Sequence, residues 1–176
     1  MKDSGRPKVK NSLLLLNRQQ TRKVDRRLLR RMARCLLEEV LRRDSYELGV
    51  HLIGAAEMAR LNETFLGHEG STDVITFDHQ ERAGGARRSG VREKGAAAEG
   101  RVCGEIFISV DDAVRQGPRF RASWQEEVAR YLAHGLLHLE GCDDTAPGPR
   151  RAMKRRENRL LKELSLRFDL VKLGSD

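Results

Sequence analysis

Four runs of strand length, set among stretches of helical period, predict an α+β domain with a mixed sheet of about four strands and helices packed on it. Length and composition agree with that class. The 176 residues are enough to bury a core of their own. Apolar residues at 39%, together with 16 glycines, come to about the share usual in a globular chain. The expectation is one domain spanning residues 1–176.

SLLLLNRQ (12–19) is a compact apolar run that reads as the first strand. In DRRLLRRMARCLLEEVLRR (25–43), Leu28, Leu29, Met32, Leu36, Leu37 and Val40 recur at helical spacing behind Asp25 as N-cap. This predicts an amphipathic helix with an arginine face. YELGVHLI (46–53) alternates as a strand, and AAEMARLNETFLG (55–67) reads as a helix with Gly67 as its C-cap. DVITF (73–77) and VCGEIFIS (102–109) are rich in strand formers. Between them, HQERAGGARRSGVREKGAAAEGR (79–101) has five glycines and no apolar period, which predicts a mobile insertion. A short helix is expected near 110–117. SWQEEVARYLAHGLLHLEG (123–141) opens on a capping box, Ser123 with Glu126, and ends at Gly141. PRRAMKRRENRLLKEL (149–164) opens with a proline in its first turn and puts Met153, Leu160, Leu161 and Leu164 on one side.

The net charge of +8 comes from 34 basic and 26 acidic residues and is unevenly spread. Residues 1–43 carry 14 basic and 4 acidic groups, residues 149–176 carry 9 and 4, and residues 102–148 carry 4 and 8. Basic ends of this kind suit a polyanion such as RNA, and fit equally well a solvated charged face. Arg26, Arg30 and Arg34 share one side of the first helix, and Arg151 and Arg155 are similarly paired on the last, so each set could meet a phosphate backbone. The longest apolar run near the N-terminus, Leu13 to Leu16, falls far short of the roughly 20 residues of a membrane span. Cys35, Cys103 and Cys142 form no CxxC pair, and reduced thiols fit a cytoplasmic chain with no membrane partner.

The stretch that carries chemistry is HGLLHLEGCDD (134–144). His134 and His138, at i and i+4, leave one face of a helix about a turn apart, so two imidazoles can hold one metal ion. Gly141 ends the helix and lets the chain fold back, bringing Asp143 or Asp144 within reach as a third ligand. Two histidines and a carboxylate with an open position are the arrangement of a catalytic zinc site. Without the glycine and aspartates, HxxxH alone would more often be an ordinary helix face. Gly135 excludes the zinc-protease reading, because in HExxH the residue after the first histidine is the general base and glycine has no side chain to take a proton. A helix-interior glycine costs about 1 kcal/mol relative to alanine, which is tolerable where another backbone must approach closely.

HGLLHLEGCDD, with LNETFLGHEGSTDVITF (61–77) and GEIFIS (104–109) before it and Met153 and Glu157 on the helix after it, resembles the YbeY family of bacterial endoribonucleases, the 16S rRNA maturation factors. The blocks match in order and spacing from residue 12 to about 165. The resemblance implies a small zincin-like α+β domain that binds one Zn2+ per chain and cuts single-stranded RNA in rRNA processing and ribosome quality control. Its implied partners are ribosomal RNA and the small ribosomal subunit, with ribosomal proteins or an assembly GTPase as further candidates. The family pattern HGxLHLxGYDH puts its three metal-binding histidines on His134, His138 and Asp144, so the third ligand here is a carboxylate. Its tyrosine falls on Cys142, a possible soft ligand more simply read as packed against the loop. The family's arginine after LNxx[YF] falls on Leu66.

The leading reading is thus a metal-dependent endoribonuclease with His134, His138 and Asp144 acting through the bound metal. Glu105, in GEIFIS, is a general-base candidate by strand position alone; an exposed or hydrogen-bonded strand residue is the plainer role. Thr72 and Asp73 could shape the site or simply cap a turn. His68 and His79 read as polar loop residues, and His51 lies within a strand. The rival reading is a noncatalytic assembly factor that binds rRNA or a ribosomal protein and uses the metal to fix the loop after Gly141. Leu66 favours the rival, the open coordination position favours the enzyme, and Gly135 argues against peptide hydrolysis.

Overall fold

The computed structural model describes residues 11–80 and 101–174. Strands β1 (Ser12–Asn17), β2 (Ser45–Ile53), β3 (Val74–Asp78) and β4 (Arg101–Ser109) form one sheet in the order β1-β2-β4-β3. β1, β2 and β4 run parallel, and β3 is antiparallel to β4 at the edge. The architecture is α+β with a mixed four-stranded sheet, as the apolar runs predict. The insertion expected at 79–101 lies, except for His79, Gln80 and Arg101, outside the described residues.

Because strand side chains alternate, the sheet has two different faces. Leu15, Tyr46, Leu48, Val50, Leu52, Val102, Ile106 and Ile108 point into the main core. There they meet α1 (Arg26–Arg34), α4 (Trp124–Leu139) and α5 (Pro147–Arg167). Ile53, Ile75 and Phe107 point the other way, into a small cluster closed by Met58 of α2 (Ala55–Leu61). Asp25 caps α1 as expected, accepting from the amides of Arg27 and Leu28. That helix continues as a π turn over Cys35–Val40. Gly67, at φ 68°, closes the π turn Asn62–Leu66 that extends α2. α3 (Val110–Gln116) leads into a 3₁₀ turn, Gly117–Phe120, and α4 then opens on the Ser123–Glu126 capping box.

α5 is longer than the apolar stripe suggests, starting with Pro147 at its first position and running to Arg167. A C-terminal 3₁₀ turn, Leu170–Gly174, then buries Leu170 and Leu173, and the Leu173 carbonyl accepts from the Asp25 amide at 2.9 Å.

α4 lies so close to β4 that glycine is required on both sides. A Cβ on Gly135 would stand 2.6 Å from Ile106 Cγ2, and one on Gly104 would stand 2.6 Å from Leu139 Cδ2 and 2.4 Å from the Phe77 carbonyl oxygen. The close neighbour of Gly135 is thus a strand side chain rather than another backbone. Gly135→Ala should therefore destabilise by about 1–2 kcal/mol, the overpacking cost exceeding the roughly 1 kcal/mol gained in helix propensity. In an Ile106→Ala background the same change should be neutral or favourable. Urea unfolding of the four proteins reads this coupling, and an equal loss in both backgrounds would mean that Ile106 is not the obstacle.

Candidate metal centre

The site grows from the C-terminal end of α4. Gly141, at φ 93°, takes the left-handed conformation that ends a helix. Its amide bonds to the His138 carbonyl at 2.9 Å and the Cys142 amide to the Leu137 carbonyl at 2.8 Å, the two bonds of a Schellman turn. This reversal brings Asp144 back over the helix face that carries His134 and His138. The Asp144 carbonyl is held from the far side by Arg150 Nε at 2.8 Å.

Three donor atoms converge. His134 Nε2 and His138 Nε2 are 3.0 Å apart, and Asp144 Oδ2 lies 3.7 Å from the first and 3.9 Å from the second. Ligands at about 2.0–2.1 Å on a tetrahedral ion of zinc's size stand roughly 3.3–3.4 Å apart, so the triangle can hold such an ion with little movement. The hydrogen-bond partners point the same way. His134 Nδ1 faces Glu157 Oε2 at 2.9 Å and His138 Nδ1 faces the Cys142 carbonyl at 3.2 Å. Both partners only accept, so each Nδ1 is placed to donate, which leaves Nε2 as the atom of each ring available to a metal ion. Two ring nitrogens and a carboxylate oxygen aimed at one point form a donor set for a cation.

Of the two aspartates left open by the spacing, the structure brings Asp144. Asp143 turns outward, its carboxylate accepting from the amide and hydroxyl of Thr145, both at 2.9 Å. Those bonds, the amide first, lower its pKa. Cys142 stays outside the triangle, with Arg156 Nη1 2.8 Å from its sulfur. Glu105 is a correction to the expected set. Its strand neighbours Gly104 and Ile106 face α4, so Glu105 projects from the opposite face of the sheet. There it accepts from His51 Nε2 at 3.0 Å and His79 Nε2 at 3.2 Å. Burial raises its pKa, but the bonds from His79 and His51 outweigh that and leave it lowered. His68 is an exposed loop residue. Thr72 and Val74 both donate to Asp73 at the start of β3, the turn-capping role.

The residue whose role sequence reasoning missed is Glu157. It is 3% exposed on the inner side of α5 and accepts from His134, from Arg130 Nη1 at 3.0 Å and from Lys154 Nζ at 2.6 Å. Burial alone would raise its carboxyl, yet the bonds from His134, Lys154 and Arg130 hold it down to about 2. Arg130 also reaches the buried Glu127 at 3.2 Å. A signal was present: Glu157 interrupts the apolar stripe of Met153, Leu160 and Leu164, where an ionised carboxylate needs partners.

Two hollows flank the triad. One, of about 450 Å³, includes His134, Asp144, Asp73, Tyr131 and Phe120 in its lining; α5 contributes Arg150, Lys154 and Asn158. Arg151 and Arg155, the pair singled out for phosphate contact, do not line it. The other, of about 400 Å³, lies on the His138 side with Leu66, Val74 and Asp143 in its walls. Leu66 is 50% exposed there.

Fold and site together define an α+β domain with three donors at the end of its central helix that could hold a cation. Residues 14–165 match the model of the family described as Endoribonuclease YbeY, and the chain belongs to that family. An Endoribonuclease YbeY of Chlorobium phaeovibrioides is 34% identical over 111 residues, covering 63% of this chain and 64% of that protein. One of Salinibacter ruber is 38% identical over 102 residues, covering 58% and 60%. One of Myxococcus xanthus is 34% identical over 149 residues, covering 85% and 47%. The chain thus matches less than two thirds of the length of each of these relatives. The solution structure of TM1509 from Thermotoga maritima superposes with a TM-score of 0.54 over 89% of this chain and 93% of that one. At 20% identity that likeness is one of fold.

Glu157→Gln keeps the shape but removes the charge that steadies the His134 Nδ1 proton. It should weaken metal affinity by about 10–100-fold while the far-ultraviolet circular dichroism stays unchanged. Competition with a chromophoric chelator measures this, and equal affinity in variant and wild type would reduce Glu157 to a packing role.

Proposed function

We propose that the chain is a zinc-dependent endoribonuclease that cuts single-stranded RNA in cytoplasmic 16S rRNA processing and ribosome quality control. The observation that carries this is the convergence of His134 Nε2, His138 Nε2 and Asp144 Oδ2 on one point, in a member of the Endoribonuclease YbeY family. A bound zinc would supply Lewis acidity and a water whose pKa falls toward about 7. His134 and His138 would hold the ion through Nε2, each oriented by its Nδ1 partner, and Asp144 would contribute the third ligand and a negative charge. Arg150 and Lys154, on the wall of the adjoining hollow, lie where they can meet the phosphates of a bound strand. Glu105, on the far face of the sheet, takes no part.

One observation favours a second reading, that of a noncatalytic assembly factor on rRNA or a ribosomal protein. Leu66 stands in the wall beside His138, where the family resemblance leads one to expect an arginine. An apolar side chain offers a phosphate nothing.

Zinc-loaded protein should cut single-stranded rRNA fragments in preference to duplex and carry about one zinc per chain; His138→Ala should lose both properties, and Leu66→Arg should raise the rate. Intact RNA with fully loaded wild type, together with tight rRNA binding, would establish the assembly-factor reading instead. Asp144 sets a further expectation. An anionic ligand makes the centre one charge less positive than a neutral imidazole would, so a bound water gives up its proton less readily. Asp144→His, at equal metal content, should reach half-maximal rate at lower pH than wild type, and a pH–rate profile unmoved by the change would remove Asp144 from the metal.

A further inference from the structure

Phe120 ends the 3₁₀ turn Gly117–Phe120 as a 66% exposed residue. The other strongly exposed phenylalanine, Phe65, packs edge-on against Phe77 at 5.0 Å, whereas among the described residues Phe120 has no ring partner. It stands instead on the wall of the hollow of about 450 Å³ that His134 and Asp144 also line. Its platform is fixed: the Ala122 amide bonds to the Gly117 carbonyl at 2.9 Å, and a Cβ on Gly117 would press to 2.8 Å on the Ala122 carbonyl oxygen. The same hollow carries two neutral amides. Gln116 makes no side-chain hydrogen bond among the described residues, and Asn158 uses only its oxygen, toward Arg130 at 3.3 Å.

We infer that this hollow is a nucleobase subsite, in which Phe120 stacks on an unpaired base next to the phosphate at the His134–His138–Asp144 centre, and Gln116 and Asn158 meet the polar edge of that base. The inference rests on the endoribonuclease reading and adds the group that selects unpaired RNA. Its volume falls within the 300–1,000 Å³ range typical of small-molecule sites, enough for a single nucleotide and too small for a duplex. An amide offers a donor and an acceptor side by side, the pattern of a base edge, and an exposed ring supplies the face that single-strand readers use. A base inside a helix is already stacked and paired, so only a strand that can turn one base out fills the hollow.

The test uses full-length zinc-loaded protein and short oligoribonucleotides carrying 2-aminopurine on either side of the cleaved bond, or an abasic residue there. Wild type should quench the fluorophore at one flanking position before cleavage. Phe120→Ala should abolish that quench and raise KM roughly tenfold, the scale of one stacked base, with kcat and zinc content unchanged, and Phe120→Trp should restore both. On the abasic substrate Phe120→Ala should have no effect. Adenosine monophosphate at the same concentration should fail to compete, because a free nucleotide lacks the strand that delivers the base. Wild type that cuts RNA while Phe120→Ala matches it in KM and quench would overturn the subsite and leave the nuclease standing. Absence of both cleavage and quenching by wild type overturns the nuclease reading and the subsite with it.

Discussion

The approach of α4 to β4 is the constraint on which the remaining structure depends. A glycine on the helix receives an isoleucine from the strand, and a glycine on the strand receives a leucine from the helix. This reciprocal fit sets the depth and rotation of α4 on the sheet. Because His134 and His138 directly precede Gly135 and Leu139 on the same helix, their positions follow from it. Ten residues of α4 are buried, so the helix cannot turn to relieve a local clash without moving the whole core. The two imidazoles therefore emerge from a nearly immovable rod, which is what a ligand pair needs if its geometry is to be ready before the ion arrives.

Electrostatics completes what packing begins. The centre lies in the acidic middle of a basic chain, and its nearest buried charge, Glu157, is itself an anion. Arg130 and Lys154 offset that anion, so the shell around His134 is close to neutral instead of strongly negative. Without them the His134 bond alone would stand against burial, which pushes the carboxyl's pKa upward. The charge that favours a donating Nδ1 on His134 would be less securely held. Asp144 is different in kind: its side chain is 39% exposed, so solvent and the open face of the site bear part of its charge.

Local signals in the sequence carried most of the fold. Strand limits fall within a residue or two of the apolar runs, and the caps at Asp25, Gly67, Ser123 and Gly141 all form, because each depends on a few neighbouring residues. The histidine pair was legible for the same reason: i and i+4 on a helix fix relative position without any knowledge of the fold. Glu105 shows where such reasoning stops. Strand position says only that a side chain points to one of two faces, and which face meets α4 is a matter of tertiary packing. The sheet order, with β3 outside β4, and the joining of Glu157 to His134 across 23 residues are likewise long-range facts. The carboxylate's place in an apolar stripe announced a buried partner without naming it.

The two hollows make the centre asymmetric, and that asymmetry bears on how a polymer would lie across it. On the His134 side Arg130, Arg150 and Lys154 stand among four acidic groups, with two amides and one exposed ring; the lining on the His138 side has Leu66 and Val74 beside Thr76, Asp78 and Asp143 and, among the described residues, includes no lysine or arginine. A strand crossing the metal triangle would be gripped on one side and only sheltered on the other. Product held through one nucleotide leaves faster than product held on both sides, since each further stacked or charge-paired contact adds to the barrier for release. Replacing an arginine by Leu66 would then weaken binding of one fragment while leaving the ligands, their Nδ1 partners and the Glu157 network untouched. Attenuation of this kind would fall on the grip of a strand and not on the formation of the centre, because Leu66 is neither one of the three donors nor a partner of Glu157.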